Sequence, residues 1–400
     1  MQLSRKIKIN PSEQQKKVLW ILSEKCRLIY NFALKERIYA FQKGVEKINY
    51  YKQQNDLPLL KEQYPEYKWV YSKVLQMVLR QLDTDFKSFY SLWNKGYKDA
   101  NPPRFKGKKH FTTMTYNQSE FKHYDNKIRL SHRINKTLLE FNIPNKFKFN
   151  KIYQISVFMK NGDFYLSVLF EQTEKTYMDN GLYQAFDLGA LKHTAVNNKG
   201  RFIEFENKRP DKYWSKSIKE LQSRRDHCKK GSKRWRKFHR NFCRCKRKSS
   251  NQFLDFQHKL SRKIVDNTKA NTIIIGNLSI KELCSLNKYQ KELHLSLHNT
   301  DNIGRFVRFL TYKTKLVGKR IIEINERGTS KTCCCCGKEH NMPLCKRVMN
   351  CDCGNNMDRD MNSSINIMIR YLSQNGLWTA YQQFVGNLRQ TGISLMEMYS

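Results

Sequence analysis

Residues 272–276 read Thr-Ile-Ile-Ile-Gly, a short β-branched run typical of a strand buried on both faces. A second apolar run, Arg-Ile-Ile-Glu-Ile-Asn, follows at 320–325, far enough downstream for a crossover helix between the two. Upstream, residues 183–186, 194–197 and 201–205 have the pattern of further strands. This order predicts an α/β layer architecture built on a mixed sheet.

Helices are expected on either side of the 272–276 strand: a long hairpin over 211–268, and, after a loop, a helix over about 300–318. Within the hairpin, Arg224–Lys248 holds 13 Lys and Arg residues against one acid. Such a run can be a solvated helix face, but this density with interleaved aromatic residues favours contact with a phosphate backbone. The candidate contacts are Arg234, Arg236, Lys237 and Arg240.

The first 175 residues have a different pattern, that of a β-domain interrupted by helices. Ser12 with Gln15 three residues later predicts a capping box at the start of a helix over 12–45. A second helix is expected over 70–96. The polar, Tyr-rich segment 48–68 between them is expected to be a loop.

Short strands are predicted from about 111 to 172, with Asn161-Gly162 as the turn of a β-hairpin. They are preceded by a Pro-containing breaker that leads into a basic run. Phosphate contact and a solvated loop explain this run equally well. Its candidate contacts are Arg104, Lys106, Lys108 and Lys109.

The charge balance of 75 Lys and Arg against 35 Asp and Glu leaves a net charge of +40. Because such a chain repels itself, it needs an anionic partner. Nucleic acid is favoured over a membrane surface or an inert basic surface, since the charge covers the whole length among 50 aromatic residues. No apolar run is long enough to cross a bilayer, and the N-terminus lacks a signal-peptide pattern, so the expected location is cytoplasmic, or nuclear in a eukaryotic host.

Seven of the 12 cysteines lie between Cys333 and Cys353. Two pairs, Cys333 with Cys336 and Cys351 with Cys353, match the two knuckles of a structural zinc ribbon, so these four are the predicted zinc ligands. The other nearby candidates, which the spacing leaves open, are Cys334, Cys335, Cys345 and His340.

Carboxylates stand out in a chain this poor in acid. Asp187 follows an apolar strand in Asp-Leu-Gly, which alone is a weak motif found in many turns. Asp358 and Asp360 precede an Asn-containing segment, where acids can simply cap a helix. Carboxylates converging at strand and helix ends would bind Mg²⁺, and two such ions support phosphodiester hydrolysis.

Together, GTSKTCCCCG, the tight second knuckle, DRDMNSSINI and the upstream AFDLGALKHTAV resemble the TnpB family of transposon-encoded RNA-guided nucleases, kin of compact type V CRISPR effectors and of Fanzor. The resemblance covers about residues 3 to 372. It implies a guide RNA from the transposon end, a double-stranded DNA target next to a short flanking motif, structural zinc, and Mg²⁺, with two ions expected.

The resemblance also implies an architecture: a WED-like β-barrel with a helical recognition insert, then an RNase H-like (RuvC) nuclease domain with an inserted zinc ribbon. The implied boundaries are 1–10 and 101–178 for the barrel, 11–100 for the insert, 181–330 and 355–372 for the nuclease domain, 331–354 for the ribbon, and 373–400 for a C-terminal tail.

By resemblance, Asp187 and Asp360 are the first and last catalytic aspartates, and Asp358 supports them from outside the metal shell. The middle acid is missing, because Gly276 stands where the family usually has glutamate. Glu326, at the end of the neighbouring strand, is expected to replace it as the third magnesium ligand, with Glu323 as the runner-up. The alternative for Glu326 is an ordinary surface acid.

Three functional hypotheses follow. The first is an RNA-guided, Mg²⁺-dependent DNA endonuclease. The second, motivated by Gly276, is a nuclease-dead RNA-guided DNA-binding protein that acts as a repressor. The third is a zinc-ribbon DNA-binding or transposase accessory factor that uses no RNA.

Overall fold

The computed structural model describes residues 1–44, 48–134, 137–189, 191–277, 302–343 and 345–393. The chain forms two compact units, Met1–Thr173 and Glu174–Ser400.

The first unit contains two antiparallel sheets. Their described strands are β1 Gln2–Ile9, β2 Met114–Asn117, β3 Phe121–Tyr124, β4 Lys127–Leu130, β5 Leu139–Asn142, β6 Ile152–Lys160 and β7 Asp163–Glu171. One sheet has the order β1-β7-β6-β2 and the other has the order β3-β4-β5. The closed WED-like barrel that the resemblance implies stays a prediction.

The hairpin between β6 and β7 turns at the predicted dipeptide. Asn161 and Gly162 have φ angles of 56° and 86°, so both residues are left-handed, as a type I′ turn requires. The hairpin prediction is confirmed.

The described helices of the first unit, apart from a 3-10 helix over Gln118–Glu120, lie between β1 and β2 in the chain. They are α1 Glu13–Lys43, α2 Tyr50–Asn55, α3 Leu57–Gln63, a 3-10 helix over Pro65–Trp69, and α4 Ser72–Asn94. The predicted capping box is present, because the Gln15 amide donates to Ser12 Oγ at 3.2 Å and the Ser12 amide donates to Gln15 Oε1 at 3.0 Å.

The loop predicted over 48–68 was wrong, since most of this segment is helical. The Asn49 side chain caps α2 by accepting from the Lys52 amide at 3.1 Å. Tyr50 and Leu57 are buried. Short helices with one or two buried side chains per turn have too few apolar positions to show a clear period in a polar sequence.

The second unit is an α/β layer structure. Its elements are β8 Tyr183–Leu188, β9 Lys192–Asn197, β10 Phe202–Glu206, α5 Pro210–Asp226, α6 Lys233–Asn267, β11 Thr272–Asn277, α7 Asn302–Leu316, β12 Arg320–Asn325, β13 Val348–Asn350, β14 Asn356–Asp358, α8 Arg359–Gln374 and α9 Trp378–Gln390. The main sheet has the order β10-β9-β8-β11-β12, and β8, β11 and β12 run parallel. The predicted mixed sheet is confirmed. The loop predicted before α7 lies outside the described residues.

Helices cover both faces of this sheet. Ile273 and Ile275 of β11 pack in the cluster that includes residues of α6 and α7, whereas Ile274 packs with residues of α8 and α9. Because side chains alternate along a strand, every second residue of β8, β11 and β12 points toward α8. Ala185 and Ile324 are on that same face.

The segment predicted as a tail from residue 373 is not a tail at its start. Helix α8 continues to Gln374, and α9 follows it. Phe384 and Leu388 of α9 are fully buried in the second unit, and the Asn387 side chain donates to the carbonyl of Asn198 at 2.8 Å. The prediction failed because these apolar contacts are made with distant strands rather than within a repeating local pattern.

In the part of the chain that the structure describes, no helix is both long and apolar enough to cross a membrane.

Candidate metal centre

Asp187 lies near the carboxyl end of β8, on the sheet face that α8 covers. Ala185, two residues earlier, packs on that face, so the alternation directs Asp187 the same way. On the neighbouring strand Ile275 is paired with Phe186, which places Gly276 beside Asp187. Any side chain at residue 276 would therefore point into the space next to the Asp187 carboxylate.

The Glu326 carboxylate fills that space. On β12, Ile324 is paired with Gly276, and Glu326 lies two residues further on the same face. A Cβ atom added to Gly276 would be 1.7 Å from Glu326 Oε2 and 2.8 Å from both Cβ and Cδ of Glu326. The side chain of Glu326 thus crosses β11 where only glycine leaves room for it.

Glu323, the alternative acid on β12, does not reach this place. It is exposed, and it lies on the opposite face from Ile324, since the two are adjacent along the strand. Of the two acids, only Glu326 is directed toward Asp187.

Asp360 and Asp358 come from the start of α8. Asp360 is in the first helical turn, with Arg359 Nη2 3.5 Å and Arg347 Nη1 4.0 Å from its Oδ1. Asp358 is the N-cap, because its Oδ1 accepts from the Asp360 amide at 2.8 Å. Its other oxygen is paired with Lys192 Nζ at 3.1 Å.

These contacts give Asp358 a structural role that Asp360 does not have. Burial opposes ionisation of Asp358, but the hydrogen bonds from Lys192 and from backbone amides outweigh it and lower the pKa of Asp358. Asp358 is therefore held as the cap of α8. Sequence reasoning did not identify Lys192, Arg347 or Arg359, since no pattern in the chain marks a charge partner that only the fold brings near.

The carboxylates of Asp187 and Glu326 lack comparable partners. Burial, and next to it the charge of Asp360, raises the pKa of Asp187 to about 7, although a hydrogen bond from Ser363 acts in the opposite direction. Burial, followed by the charge of Asp187, raises the pKa of Glu326 to about 8. Glu326 Oε2 is buried and has no hydrogen-bond partner. Buried carboxyl oxygens that converge with too few donors, and whose ionisation a nearby positive charge would favour, fit a hard divalent cation such as Mg²⁺.

The turn after Asp187 also needs a glycine. A Cβ on Gly189 would lie 2.4 Å from the carbonyl oxygen of Lys192, so a side chain there would push β8 and β9 apart. The Asp-Leu-Gly motif therefore combines a carboxylate at the strand end with the only residue that permits the tight return into β9.

Four cysteines form a second cluster. The sulfur atoms of Cys333, Cys336, Cys351 and Cys353 all lie within 4.8 Å of one another, a spacing suited to a tetrahedral zinc ion. Among the described residues this is the one set of three or more Cys, His, Asp or Glu with ligand atoms that close together, so the three carboxylates above form a wider arrangement.

The structure separates these four cysteines from the other candidates. Cys334 and Cys335 are buried outside the set, with their sulfur atoms 3.8 Å apart, and Cys345 is exposed. His340 is not part of the set either. Spacing alone left these alternatives open, because adjacent cysteines point in different directions only once the knuckle has folded.

Hydrogen bonds connect the cysteine cluster to α8. Asn355 Nδ2 donates to Cys333 Sγ at 3.2 Å, and Asn362 Oδ1 accepts from the Cys334 amide at 2.9 Å. Asn362 is fully buried on α8. The cluster and the helix that carries Asp360 are therefore joined by buried polar contacts.

The basic run of the second unit lies on the α5–α6 hairpin. Its four candidate contacts, Arg234, Arg236, Lys237 and Arg240, are all exposed. Phe242, two residues after Arg240, faces the hairpin instead: it is buried, with the Arg225 guanidinium 4.6 Å from its ring. The exposed surface is thus a row of cations, which suits phosphate better than bases.

In the first unit the four basic candidates are not equivalent. Arg104, Lys108 and Lys109 are exposed, whereas the Lys106 ammonium lies 3.6 Å from the centroid of the Tyr30 ring. Burial lowers the pKa of Lys106. Lys106 is therefore engaged within this unit, whereas Lys108 and Lys109 are exposed and Arg104, also exposed, donates to Asn101 Oδ1 at 2.7 Å.

Family models match three parts of the chain. A model described as "Cas12f1-like, TNB domain" matches residues 304–367, one described as "Probable transposase" matches 169–287, and one described as "Helix-turn-helix domain" matches 1–45. The last segment contains β1 and α1 in this structure. The first match covers the cysteine cluster and Asp360, and the second covers Asp187.

Curated relatives agree with these matches. A protein of Streptomyces pristinaespiralis named "Putative RNA-guided DNA endonuclease" is 25% identical over 376 residues, which cover 91% of this chain and 88% of that protein. The TnpB-like protein L79 of Acanthamoeba polyphaga mimivirus is 32% identical over 141 residues, 34% of this chain and 26% of the viral protein. The chain is thus similar to TnpB-like proteins and to a named RNA-guided DNA endonuclease.

A solved structure shows a similar fold. The Cas12f1 chain in a complex with sgRNA and target DNA has a TM-score of 0.50 and 13% sequence identity, covering 92% of this chain and 98% of that one. At this identity the likeness concerns the fold.

Proposed function

We propose that this protein is an RNA-guided DNA endonuclease of a transposable element. The similarity to TnpB-like proteins supports this, as does the name of the Streptomyces relative, which matches over most of both chains. The exposed cations on α6 and a net charge of +40 provide the electrostatic attraction that guide RNA and double-stranded DNA need. Base pairing with the guide would then select the target, next to a short flanking motif.

The nuclease proposal depends most on one observation: the Glu326 carboxylate occupies the space that the absent side chain of Gly276 would fill, beside Asp187. Glu326, from the end of the adjoining strand, thus stands in for the glutamate that the family usually has at the position of Gly276. Asp187, Glu326 and Asp360 would hold Mg²⁺, with two ions proposed. Bound Mg²⁺ supplies an activated water and neutralises the leaving oxygen in phosphodiester hydrolysis.

The residues of this chain have separable tasks in such a site. Asp187 and Glu326 form no salt bridge within the described residues, although the charge of Arg359 acts on Asp187, and they are directed to the same place from two strands. Asp358 caps α8 and so fixes the first turn from which Asp360 projects. Arg359 and Arg347 lie near Asp360 and limit the repulsion among the carboxylates.

We also propose the domain assignment that goes with this function. Residues 181–330 and 355–372 would be the RuvC-type nuclease domain, with the zinc ribbon at 331–354 binding Zn²⁺ through its four clustered cysteines. The helix α9 would extend the nuclease domain beyond residue 372. Residues 1–10 and 101–178 would form the WED-like domain, with 11–100 as its helical insert.

Cleavage by purified protein with its native RNA tests the proposal. Matching DNA and Mg²⁺ are added, and cleavage and DNA binding are measured separately. Glu326→Gln is expected to reduce the cleavage rate by at least about 100-fold while binding is retained, because it removes one metal-binding charge. The matched control is Glu323→Gln on the same strand, which is expected to cut like the wild type.

The second candidate is the nuclease-dead, RNA-guided DNA-binding protein, which the glycine at residue 276 motivates. Wild-type protein that binds matched DNA and leaves it intact with Mg²⁺ would establish this alternative. If no specific RNA co-purifies, both guided functions fail and the plain zinc-ribbon DNA-binding factor replaces them.

A further inference from the structure

The loop that carries Glu326 is held by one face of helix α8. Asn366 Nδ2 donates to the carbonyls of Thr329 and Thr332 at 2.8 and 2.7 Å. One turn further along α8, Arg370 Nη1 donates to the carbonyl of Asn325 at 2.6 Å. Glu326 lies between these anchored carbonyls, so its backbone position is set by the same helix that presents Asp360.

Two buried hydroxyl groups extend this connection to Asp187. Thr329 and Ser363 are each 2% exposed, and their hydroxyl oxygens are 3.0 Å apart. The Ser363 hydroxyl also lowers the pKa of Asp187 through hydrogen bonding, which places it close to that carboxylate. Thr329 contacts the Glu326 carbonyl twice, through its amide at 3.1 Å and its hydroxyl at 2.9 Å.

The donors and acceptors of this chain of contacts can be assigned by counting protons. An ionised Asp187 only accepts, so Ser363 donates to it and must accept from Thr329. The Thr329 hydroxyl, which otherwise donates to the Glu326 carbonyl at 2.9 Å, then turns its proton toward Ser363, and the Glu326 carbonyl keeps the Thr329 amide as its donor. In this arrangement the two hydroxyl groups and the Glu326 carbonyl are each hydrogen-bonded, and an ionised Asp187 is available to bind a cation.

We propose that Thr329 and Ser363 are positioning residues for the metal centre: their hydroxyl bridge joins Asp187 to the turn of Glu326 and sets the spacing of the two carboxylates. The inference rests on the proposed function, since it assigns the bridge to the same metal site. The bridge explains how Glu326, which follows β12, is held at a fixed distance from Asp187 on β8. Strand β11 lies between these two strands, so no backbone hydrogen bond connects them directly. Partners that orient metal ligands typically contribute 10- to 100-fold to metal affinity or activity.

The chain offers matched controls for both hydroxyls. Thr332, three residues after Thr329, directs its hydroxyl to the carbonyl of Gly328 at 3.0 Å. Ser364, next to Ser363 and fully buried, donates to the carbonyl of Met361 at 2.8 Å. Neither control hydroxyl has a recorded contact with Asp187, Glu326 or the bridge.

The test measures Mn²⁺ binding by zinc-loaded protein in its RNA complex, and separately the Mg²⁺ concentration that gives half-maximal DNA cleavage. Thr329→Val and Ser363→Ala are each expected to weaken Mn²⁺ binding and to raise the required Mg²⁺ by about tenfold or more. Thr329→Ser is expected to restore both values to within about twofold of wild type, as only the hydroxyl matters. Thr332→Val and Ser364→Ala are expected to stay within the same range.

Three results would overturn the bridge: wild-type Mn²⁺ affinity in both Thr329→Val and Ser363→Ala, equal losses in the control variants, or failure of Thr329→Ser to restore binding. Thermal unfolding of each variant identifies general destabilisation, which would lower Tm without the selective change in Mn²⁺ affinity. The Mn²⁺ measurement does not depend on cutting. Suppose that the wild type binds Mn²⁺, that this binding depends on the Thr329 and Ser363 hydroxyl groups, and that DNA is not cleaved. This result would reject the endonuclease proposal and leave the present inference standing.

Discussion

At residue 276 the absence of a side chain is itself a structural requirement. Most strands tolerate alanine for glycine, and in an open strand the change is usually favourable. Here the added Cβ would be 1.7 Å from Glu326 Oε2, a distance that no packed pair of atoms adopts. The glycine and the displaced glutamate therefore form one unit, and neither can be altered alone without moving the carboxylate.

Gly276→Ala is accordingly expected to abolish cleavage while RNA and DNA binding persist, because the methyl group expels the Glu326 carboxylate from its place beside Asp187. Single-turnover cleavage with a parallel binding assay measures this. Gly386→Ala is the control, since a Cβ there meets no atom within 4 Å. The double variant Gly276→Glu with Glu326→Gly returns the acid to β11 and is expected to cut faster than Gly276→Ala. Full activity of Gly276→Ala would contradict the role of Glu326.

At the scale of elements, β9 carries a titratable group on the face away from the carboxylates. His193 is 2% exposed, and its ring stacks on Phe306 of α7 with centroids 4.7 Å apart. Its Nδ1 is buried without a hydrogen-bond partner. Burial lowers the pKa of His193 to about 4, so this histidine is neutral in the folded protein.

The contribution of His193 to the stability of the folded protein is expected to fall as the pH drops from about 6.5 toward 4, whereas the raised pKa values of Asp187 and Glu326 act in the opposite direction. In this range the unfolded chain protonates His193 and the folded chain does not, so unfolding takes up a proton and is favoured by acid. The effect approaches about 1.4 kcal/mol per pH unit for this one group. Urea unfolding at several pH values measures it. The difference between the wild type and His193→Gln isolates this contribution, because the substitution removes the titrating group.

The helix α6 makes a separate prediction about RNA. Replacing Arg236, Lys237 and Arg240 by alanine is expected to weaken RNA binding and to lower the slope of log affinity against log salt by about 2, or roughly 0.7 to 0.9 per lost phosphate contact. Filter binding at several salt concentrations measures both. Lys259→Ala is the control, because Lys259 is paired with Asp255 at 2.8 Å on the same helix. An unchanged slope would show that this surface does not contact phosphate.

At the scale of the whole molecule, the second unit depends on α8. The helix carries Asp360, contacts the cysteine cluster through Asn362, and holds the Glu326 turn through Asn366. A change at the cluster should therefore reach the carboxylates through buried polar contacts rather than through a mobile linker. Zinc and magnesium binding are expected to be coupled in this way.

Cys351→Ser is expected to lower the zinc content, to reduce Tm by roughly 5 °C or more, and to slow cleavage, since a structural zinc site contributes folding free energy directly. Metal analysis measures the zinc content, thermal unfolding measures Tm, and a cleavage assay measures the rate. Cys345→Ser is the matched control, because Cys345 is exposed and outside the clustered set. Equal zinc content in both variants would contradict the assignment of the four ligands.

The sequence by itself determined the features that depend on local patterns. The capping box at Ser12, the hairpin at Asn161-Gly162 and the buried β11 each follow from the conformational preferences of a few neighbouring residues. The same holds for Asp187 and Asp360, which stand at the ends of recognisable elements. The short helices over 48–68 and the packed α9 were missed, because their stability comes from distant partners rather than from a local period.

Only the tertiary structure decided the relations between strands. It showed that Glu326, and not Glu323, reaches the space at Gly276, since this depends on the parallel register of β11 with β12. It also selected four of the seven clustered cysteines and brought Thr329 to Ser363 across 34 positions of chain. Such contacts join residues far apart in the sequence, and the side-chain directions that create them are fixed only when the sheet and α8 pack together.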